Sequence, residues 1–317
     1  TGSTDMRLFL GVDGGQTSTP ALIGEETGRV LGAGVGGPCN HVGAAGGREK
    51  FTRAIKESVG EACRRASLDP ASVRFEAACL GFSGGPEDKR ELLRELLRTE
   101  RLIVTTDALI ALSGATAGEP GIITIAGTGS IAYGRDASGR TARAGGWGYV
   151  FGDEGGAFDI VRQALRAALR FEEGWGPATT LHSALLAATG ASSANDLLHR
   201  FYTTEFPRPR IASYARLVDA EAAKGDAAAA DILRNAAKEL AAITMAVHTR
   251  LFRPGERVRA AYIGGVFRSA ILLDAYRGLL EMEVAPPAYG PAAGALIEAY
   301  RAAGLSAPLS NLPEFKT

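Results

Sequence analysis

Cysteine is scarce in this sequence, and no two of its cysteines lie close together. The 317 residues contain Cys39, Cys63 and Cys79 alone. An odd number of widely spaced cysteines excludes a dense disulfide framework and provides no CxxC metal or redox motif. We therefore expect buried, reduced thiols and a cytoplasmic protein.

Net charge is absent as well. Lys plus Arg and Asp plus Glu number 35 each, so the formal net charge is zero. A neutral chain offers no general attraction to nucleic acid or to an anionic membrane, and no apolar run approaches the length of a membrane span. Neither partner is expected. Any binding of phosphate must be local and made largely by backbone groups.

What the sequence does have is a globular composition, with 46% hydrophobic and 22% charged residues, over a length that suits two domains. Its first part alternates short apolar runs with helical periodicity, which implies parallel strands joined by helices. The first three predicted strands, by contrast, are joined by short turns, so they are expected to pair antiparallel. The predicted elements are strands at 7–13, 20–25 and 29–35, a helix at 44–67, a strand at 73–80, a helix at 87–98 and a strand at 101–105.

The pattern restarts in the second part. Predicted strands at 121–126 and 131–135 flank a Gly/Thr-rich turn, as the first two strands do, which indicates a weak internal duplication. Residues 154–252 are mostly helical, and the Ala-rich stretch 227–251 predicts one long helix. The remaining predicted elements are a strand at 258–263, a helix from 264 to about 280, a strand at 281–285 and a helix at 292–303.

The first candidate site is the turn Asp13-Gly14-Gly15-Gln16-Thr17-Ser18-Thr19. Its glycines can adopt backbone conformations closed to other residues and can expose N–H groups to an anion. Thr17 and Thr19 add hydroxyl donors, and Asp13 could hold Mg²⁺ through water. A plain β-turn would also explain the glycines.

A second turn of the same kind is Ala126-Gly127-Thr128-Gly129-Ser130. A Rossmann fingerprint would lead into a helix, whereas a strand follows here, and there is no P-loop lysine motif. Two such turns in equivalent places of two halves could hold a nucleotide's phosphates from both sides.

Two shorter segments carry further candidates. Asp107, within Thr106-Asp107-Ala108, follows a strand and opens a helix. It is either a helix N-cap or a general base for a sugar hydroxyl. Gly264 and Gly265 form a strand-to-helix turn on which adenine or ribose could lie, although such turns are common.

Glycines are unusually dense around Trp147, from Gly145 to Gly156. They would let the backbone approach a ligand closely, and the indole face suits the apolar face of a sugar. Asp153 and Glu154 supply acceptors for hydroxyl groups. A helix N-cap would explain Asp153 but not the density of glycines.

In order and spacing, these segments resemble the N-acetylglucosamine kinase and BadF/BadG/BcrA/BcrD ATPase group of the actin, hexokinase and Hsp70 superfamily. The resemblance covers residues 8–300. It includes Asn40-His41, Gly81-Phe82-Ser83-Gly84-Gly85, Thr106-Asp107-Ala108 and Gly152-Asp153-Glu154-Gly155.

The resemblance implies an α/β fold of two ribonuclease H-like domains with a central cleft. One would span 6–110, completed by a C-terminal helix at 290–317, and the other 111–289 with a helical insertion. It also implies a homodimeric, ATP- and Mg²⁺-dependent kinase. The substrate would be the 6-hydroxyl of an amino sugar, N-acetylglucosamine or glucosamine.

The resemblance further assigns roles to individual residues, grouped by the part of the substrates that each would contact. Asp107 would be the base and Asp13 the Mg²⁺ residue. The phosphates would be bound by Gly14, Gly15, Gln16, Thr17, Thr19, Gly127, Thr128, Gly129 and Ser130, and the adenosine by Gly264 and Gly265. The sugar would be bound by Asn40, Ser83, Asp107, Gly146, Trp147, Asp153 and Ala157.

Two positions depart from the group, and both bear on recognition of an N-acetyl group. Gly156 stands where many members have Ser, and Cys39 precedes Asn40 where a small hydroxylic or apolar residue is usual.

Two alternatives remain. An ATPase that activates a CoA-ester reductase or dehydratase would hold an iron–sulfur cluster through closely spaced cysteines, and this sequence has no such pair. A non-catalytic sugar sensor on the same fold would carry a helix-turn-helix before the first turn, where the first predicted strand already begins at residue 7.

Overall fold

The structure is a computed structural model that describes residues 6–39, 42–43, 46–83 and 88–315. The chain divides into two compact units, one comprising 1–119 with 287–317 and the other 120–286. The expected boundary at 110/111 differs from this division because it falls inside a helix, α3 (Asp107–Ala115). That helix packs against the C-terminal helix of the same unit, so all of α3 belongs to the first unit.

The first unit is built on a five-stranded sheet. β1 (Leu8–Gly14) pairs antiparallel with β2 (Thr19–Glu25), and β2 pairs antiparallel with β3 (Val30–Gly36). On its other side β1 pairs parallel with β4 (Phe75–Phe82), which pairs parallel with β5 (Thr99–Thr106). The strand order is therefore β3-β2-β1-β4-β5. The central strands are apolar on both faces, as a sheet covered by helices on both sides requires.

Four helices complete this unit: α1 (Gly47–Arg65), α2 (Arg90–Leu96), α3 and α12 (Pro291–Ala302). On one face of the sheet, α1 buries the apolar positions that its four-residue spacing predicted. On the other face, α12 packs on β1 and buries Leu296 and Tyr300 against Phe9. Both faces of the sheet thus lie in hydrophobic core.

The second unit repeats this plan. β6 (Gly121–Ala126), β7 (Ser130–Arg135) and β8 (Thr141–Gly145) are successively antiparallel. β6 also pairs parallel with β9 (Arg259–Ile263), which pairs parallel with β10 (Glu283–Ala285). The order β8-β7-β6-β9-β10 matches that of the first sheet in sequence and in strand direction. The predicted internal duplication is confirmed, and both units are of the ribonuclease H-like type.

The elements predicted from sequence are present, most of them within a few residues of the predicted bounds. β8 was missed because its residues, TARAG, include no large apolar side chain. The remaining helices belong to the second unit. They are α4 (Gly148–Phe151), α5 (Ala157–Glu172), α6 (Leu181–Thr189), α7 (Ala194–Phe201), α8 (Arg208–Ser213), α9 (Ala215–Ala223), α10 (Ala227–Leu251), a 3₁₀ turn (Gly265–Arg268) and α11 (Ala270–Leu279).

The three cysteines are all buried and unpaired, as expected. All three lie in the first unit. Within the described ranges, no helix is long and apolar enough to cross a membrane.

Candidate active site

The first turn joins β1 to β2 and is closed by one internal hydrogen bond, from the Gly15 N–H to the Ser18 carbonyl at 3.0 Å. Gln16 and Thr17 are exposed at its tip. Among the described residues, the amides of Gln16, Thr17 and Ser18 donate to no acceptor of the protein. Successive free amides at a turn are suited to binding an anion.

One predicted hydroxyl donor of this turn has a different partner. Thr19 is fully buried, and its Oγ1 donates to the Gly37 carbonyl at 2.6 Å. This differs from its assignment to the phosphates. The cause is its place on β2 beside β3, where a buried hydroxyl needs a partner within the fold. The exposed hydroxyl of Thr17 remains the candidate donor.

Asp13 and Asp107 lie at one edge of the first sheet. Asp13 is the second-last residue of β1, and Asp107 directly follows β5. These strands share the parallel neighbour β4, so their carboxyl ends meet at the same edge. Burial raises the pKa of Asp13 to about 6, and the nearby negative charge of Asp107 adds to this rise. The two carboxylates are therefore close enough to repel each other.

Asp107 is not the N-cap of α3. That position belongs to Thr106, whose hydroxyl accepts from the Leu109 N–H at 3.3 Å. Asp107 is exposed as a residue, yet desolvation around its carboxylate raises the pKa, while the Ala108 N–H at 2.8 Å opposes the rise. Because Thr106 caps the helix, the carboxylate of Asp107 is available for another role.

The expected sugar residues of the first unit are only partly described. Ser83 is half-buried and directly follows β4. Asn40 lies outside the described residues.

Lys89 was not singled out from the sequence. It is 2% exposed, and its Nζ lies 3.0 Å from Asp88 Oδ1 and 5.7 Å from the centroid of the Phe82 ring. Its charge also acts on the thiol of Cys39. A lysine within a charged run gives no sign in the sequence that it will be buried.

The second turn joins β6 to β7. The Gly127 N–H donates to the Gly129 carbonyl at 3.0 Å, while the amides of Thr128 and Gly129 donate to no acceptor in the described part of the chain. Ser130 differs from its assignment to the phosphates, because its side chain is buried and its Oγ donates to the Glu154 carbonyl at 2.7 Å.

The glycine-rich loop exposes one of its expected sugar residues and buries another. Gly146 has a φ of 73°, and Trp147 is 65% exposed with the Arg143 guanidinium 4.8 Å from its ring centroid. Asp153, in contrast, is buried and directed at the second turn. Of this group, Trp147 alone presents a large exposed apolar face.

A cavity of about 280 Å³ lies within the second unit beside the second turn. Gly264 has a φ of 118°, and a Cβ there would lie 2.2 Å from the Ala126 carbonyl oxygen, so only glycine allows the ends of β6 and β9 to approach this closely. Residues 209–219, from the helical insertion, were not predicted because they carry no motif. The lining includes Gly127, Thr128, Ala157, Arg216, Asp219 and Gly265.

The fold and these sites define a two-unit α/β protein in which each unit carries, after its first strand, a turn whose tip amides donate to no acceptor among the described residues. The model of the BadF/BadG/BcrA/BcrD ATPase family matches residues 10–299 of the chain. The chain belongs to that family.

Curated relatives carry kinase names. The N-acetylmuramic acid/N-acetylglucosamine kinase of Clostridium acetobutylicum is 35% identical over 283 residues, 87% of this chain and 91% of the relative. The N-acetyl-D-glucosamine kinase of Dictyostelium discoideum is 30% identical over 84% of this chain and 88% of the relative.

A solved structure from Chromobacterium violaceum, assigned as an N-acetylglucosamine kinase, superposes with a TM-score of 0.72. Its sequence is 28% identical, and the match covers 92% of this chain and 98% of that one. The likeness therefore extends over both units rather than over one of them.

Proposed function

We propose that this protein is an ATP-dependent kinase that phosphorylates the 6-hydroxyl of an amino sugar, N-acetylglucosamine or glucosamine. The observation that carries the proposal is the pair of matching turns, each with free amides, together with a carboxylate, Asp107, that is not used as a helix cap. The names of the relatives support the amino sugar as acceptor.

In the proposed reaction, the sugar O6 attacks the γ-phosphorus of ATP, the bond to the β-phosphate oxygen breaks, and ADP leaves. Asp107 accepts the proton of the hydroxyl. Phosphoryl transfer depends mainly on alignment and charge neutralisation, to which the amides of both turns would contribute. The raised pKa of Asp107 fits a proton acceptor that works near neutral pH.

The acid pair fits a hydrated Mg²⁺. Burial and the charge of Asp107 raise the pKa of Asp13, which a nearby cation would oppose, and oxygen donors suit this metal. Asp13 would hold the ion through water. When bound, Mg²⁺ supplies neutralisation of the charge on the β- and γ-phosphates.

The remaining assignments follow the same proposal. The cavity beside the second turn, which Gly265 lines and next to which Gly264 stands in the sequence, would take the adenosine. Trp147 would stack on the sugar, and Gly146 of the same unit and Asn40 and Ser83 of the first unit are the other residues proposed to bind it. Ala157, which the resemblance also assigned to the sugar, lines the cavity beside the second turn instead.

A second candidate substrate is N-acetylmuramic acid, an amino sugar that also carries a carboxylate. One of the relatives is named for it. The specific observation is that the Arg143 guanidinium lies exposed over Trp147 and forms no ion pair with a carboxylate among the described residues. An arginine beside the stacking ring could bind the acidic substituent. Arg143→Met should then lower kcat/KM for the acidic sugar more than for N-acetylglucosamine.

We also propose a homodimer. Tyr149, Val150 and Tyr202 line an apolar groove of about 460 Å³, and Phe151 beside them is 84% exposed. Apolar surface of this kind is commonly covered by a partner. Light scattering coupled to gel filtration measures the mass directly, and a monomeric mass at working concentration would contradict the dimer.

A coupled ADP-release screen over hexoses, hexosamines, N-acetyl hexosamines and N-acetylmuramic acid tests the function. We expect the largest kcat/KM for an N-acetyl hexosamine or a hexosamine and a 6-phosphate product by NMR. ADP release that no sugar stimulates would contradict the kinase and favour the ATPase alternative. That alternative has little support here, because all three cysteines are buried within the first unit and an iron–sulfur cluster would need accessible ones.

A further inference from the structure

Asp153 was expected to contact the sugar, yet the structure directs it at the second turn, 127–130. We propose that Asp153 is a positioning residue that holds this turn in its nucleotide-binding shape. The role of the turn in binding phosphate rests on the proposed function. The hydrogen bonds that hold the turn in place, in contrast, are observed within the second unit.

Four hydrogen bonds join the turn to the segment 153–158. The Ala157 N–H donates to the Gly127 carbonyl at 2.8 Å, and the Phe158 N–H donates to the Thr128 carbonyl at 3.1 Å. Ser130 donates twice, from its N–H to Asp153 Oδ1 at 3.3 Å and from its Oγ to the Glu154 carbonyl at 2.7 Å.

These bonds sort the polar groups of the turn into two sets. The carbonyls of Gly127 and Thr128 and both donors of Ser130 are used within the unit. The amides of Thr128 and Gly129 are not, so the fastening leaves the groups that suit a phosphate free. Any change that loosens the first set should therefore disturb the second.

The Asp153 carboxylate packs against the body of the turn. It is 7% exposed, and a Cβ on Gly129 would lie 2.4 Å from its Oδ2. Its backbone has a φ of 65°, which is uncommon for a residue other than glycine. A strained conformation of this kind persists where the surrounding contacts enforce it, and here those contacts are with the turn.

Gly156 completes the contact from the other side of the segment. A Cβ at this position would lie 2.8 Å from the backbone carbons of Gly129. Close packing on the turn explains glycine at position 156 without reference to N-acetyl recognition, and a serine there would require the turn to shift.

The test separates nucleotide binding from sugar binding, using calorimetry with Mg·ADP and no sugar. Asp153→Ala should weaken Mg·ADP binding roughly tenfold or more, since an acceptor with a full charge is lost. Asp153→Asn keeps an acceptor oxygen and should restore the affinity to within about threefold. Asp231→Ala, an exposed aspartate of α10 in the same unit, is the matched control and should bind Mg·ADP normally.

An unchanged Mg·ADP affinity in Asp153→Ala, with loss confined to the KM for sugar, would overturn the proposal. Loss of affinity in both Asp153 variants, without rescue by Asn, would also overturn it. If Asp153→Ala does not fold, Gly156→Ala tests the same contact through the backbone, and normal Mg·ADP binding in that variant would count against it. Wild-type protein that binds Mg·ADP but phosphorylates no sugar would defeat the proposed function and leave this inference intact.

Discussion

The two turns occupy equivalent places in two sheets of the same strand order, yet they are held in different ways. The first, between β1 and β2, has two hydrogen bonds to residues 37–39, from the Cys39 N–H to the Gly15 carbonyl at 3.3 Å and from Thr19 Oγ1 to the Gly37 carbonyl at 2.6 Å, and it lies beside an acid pair. The second, between β6 and β7, has four hydrogen bonds to the segment 153–158 and borders a cavity. Two sheets of one topology therefore hold their first turns by different contacts.

In the proposed reaction, the two units would provide different chemistry. The first carries the two carboxylates with raised pKa values, Asp13 and Asp107, and hence the proton and metal chemistry of the proposed reaction. The second carries the turn with four hydrogen bonds to the segment 153–158 and the cavity of about 280 Å³. Removing the carboxylate of Asp107 should thus affect turnover, whereas loosening the second turn should affect nucleotide affinity.

The largest expected effect is at Asp107 in the first unit. Asp107→Asn keeps an oxygen that can accept from the Ala108 N–H but cannot take a proton at neutral pH. We expect kcat to fall roughly 10²–10⁴-fold, the usual contribution of a general base, while sugar binding measured by calorimetry changes little. Turnover within a few-fold of wild type would remove Asp107 from the mechanism.

Asp13 should make the stability of the protein fall as the pH rises through about 6. Its folded-state pKa of about 6 lies above the ordinary value of 3.8. The stability that protonation contributes is therefore complete below the unfolded value and is lost as the pH rises through about 6. The loss amounts to about 2–3 kcal/mol at 1.4 kcal/mol for each pKa unit.

Chemical denaturation without nucleotide or metal measures this dependence. Asp13→Asn should stabilise the protein more at pH 8 than at pH 4, since only the ionised carboxylate is penalised. An equal effect at both values would show that Asp13 has an ordinary pKa. The same variant should weaken Mg·nucleotide binding at pH 8, because the residue proposed to hold the metal is lost.

Glycines at the two turns should also respond differently to a methyl group. A Cβ on Gly14 would lie 2.0 Å from the buried Phe82 ring and 2.9 Å from Cys39 Sγ, whereas a Cβ on Gly127 meets nothing within 4 Å. We expect Gly14→Ala to cost about 1–3 kcal/mol, as overpacking does. Gly127→Ala should leave stability nearly unchanged. Equal melting temperatures for the two variants would show that the first turn has more room than the structure indicates.

Much of this architecture was predictable from the sequence, because apolar runs and Gly/Thr turns are local signals. The long helix α10 was predicted to the residue, and both turns were located correctly. The direction of individual hydroxyls was not predictable. The partners of Thr19 and Ser130 lie 18 and 24 residues away in the sequence, and such distant contacts appear only when the strands and loops come together.

The smallest expected effects are at the two threonines of the first turn, whose hydroxyls point to different partners. Thr19→Val removes the hydrogen bond to the Gly37 carbonyl and should cost about 1 kcal/mol of stability with little change in the KM for ATP. Thr17→Val removes an exposed hydroxyl at the tip, so it should leave stability unchanged and raise that KM several-fold. Denaturation curves and ATP titrations of both variants decide between the two roles. If Thr19→Val raised the KM and Thr17→Val did not, the phosphates would contact the buried side of the turn, and the assignment of its exposed amides would have to be abandoned.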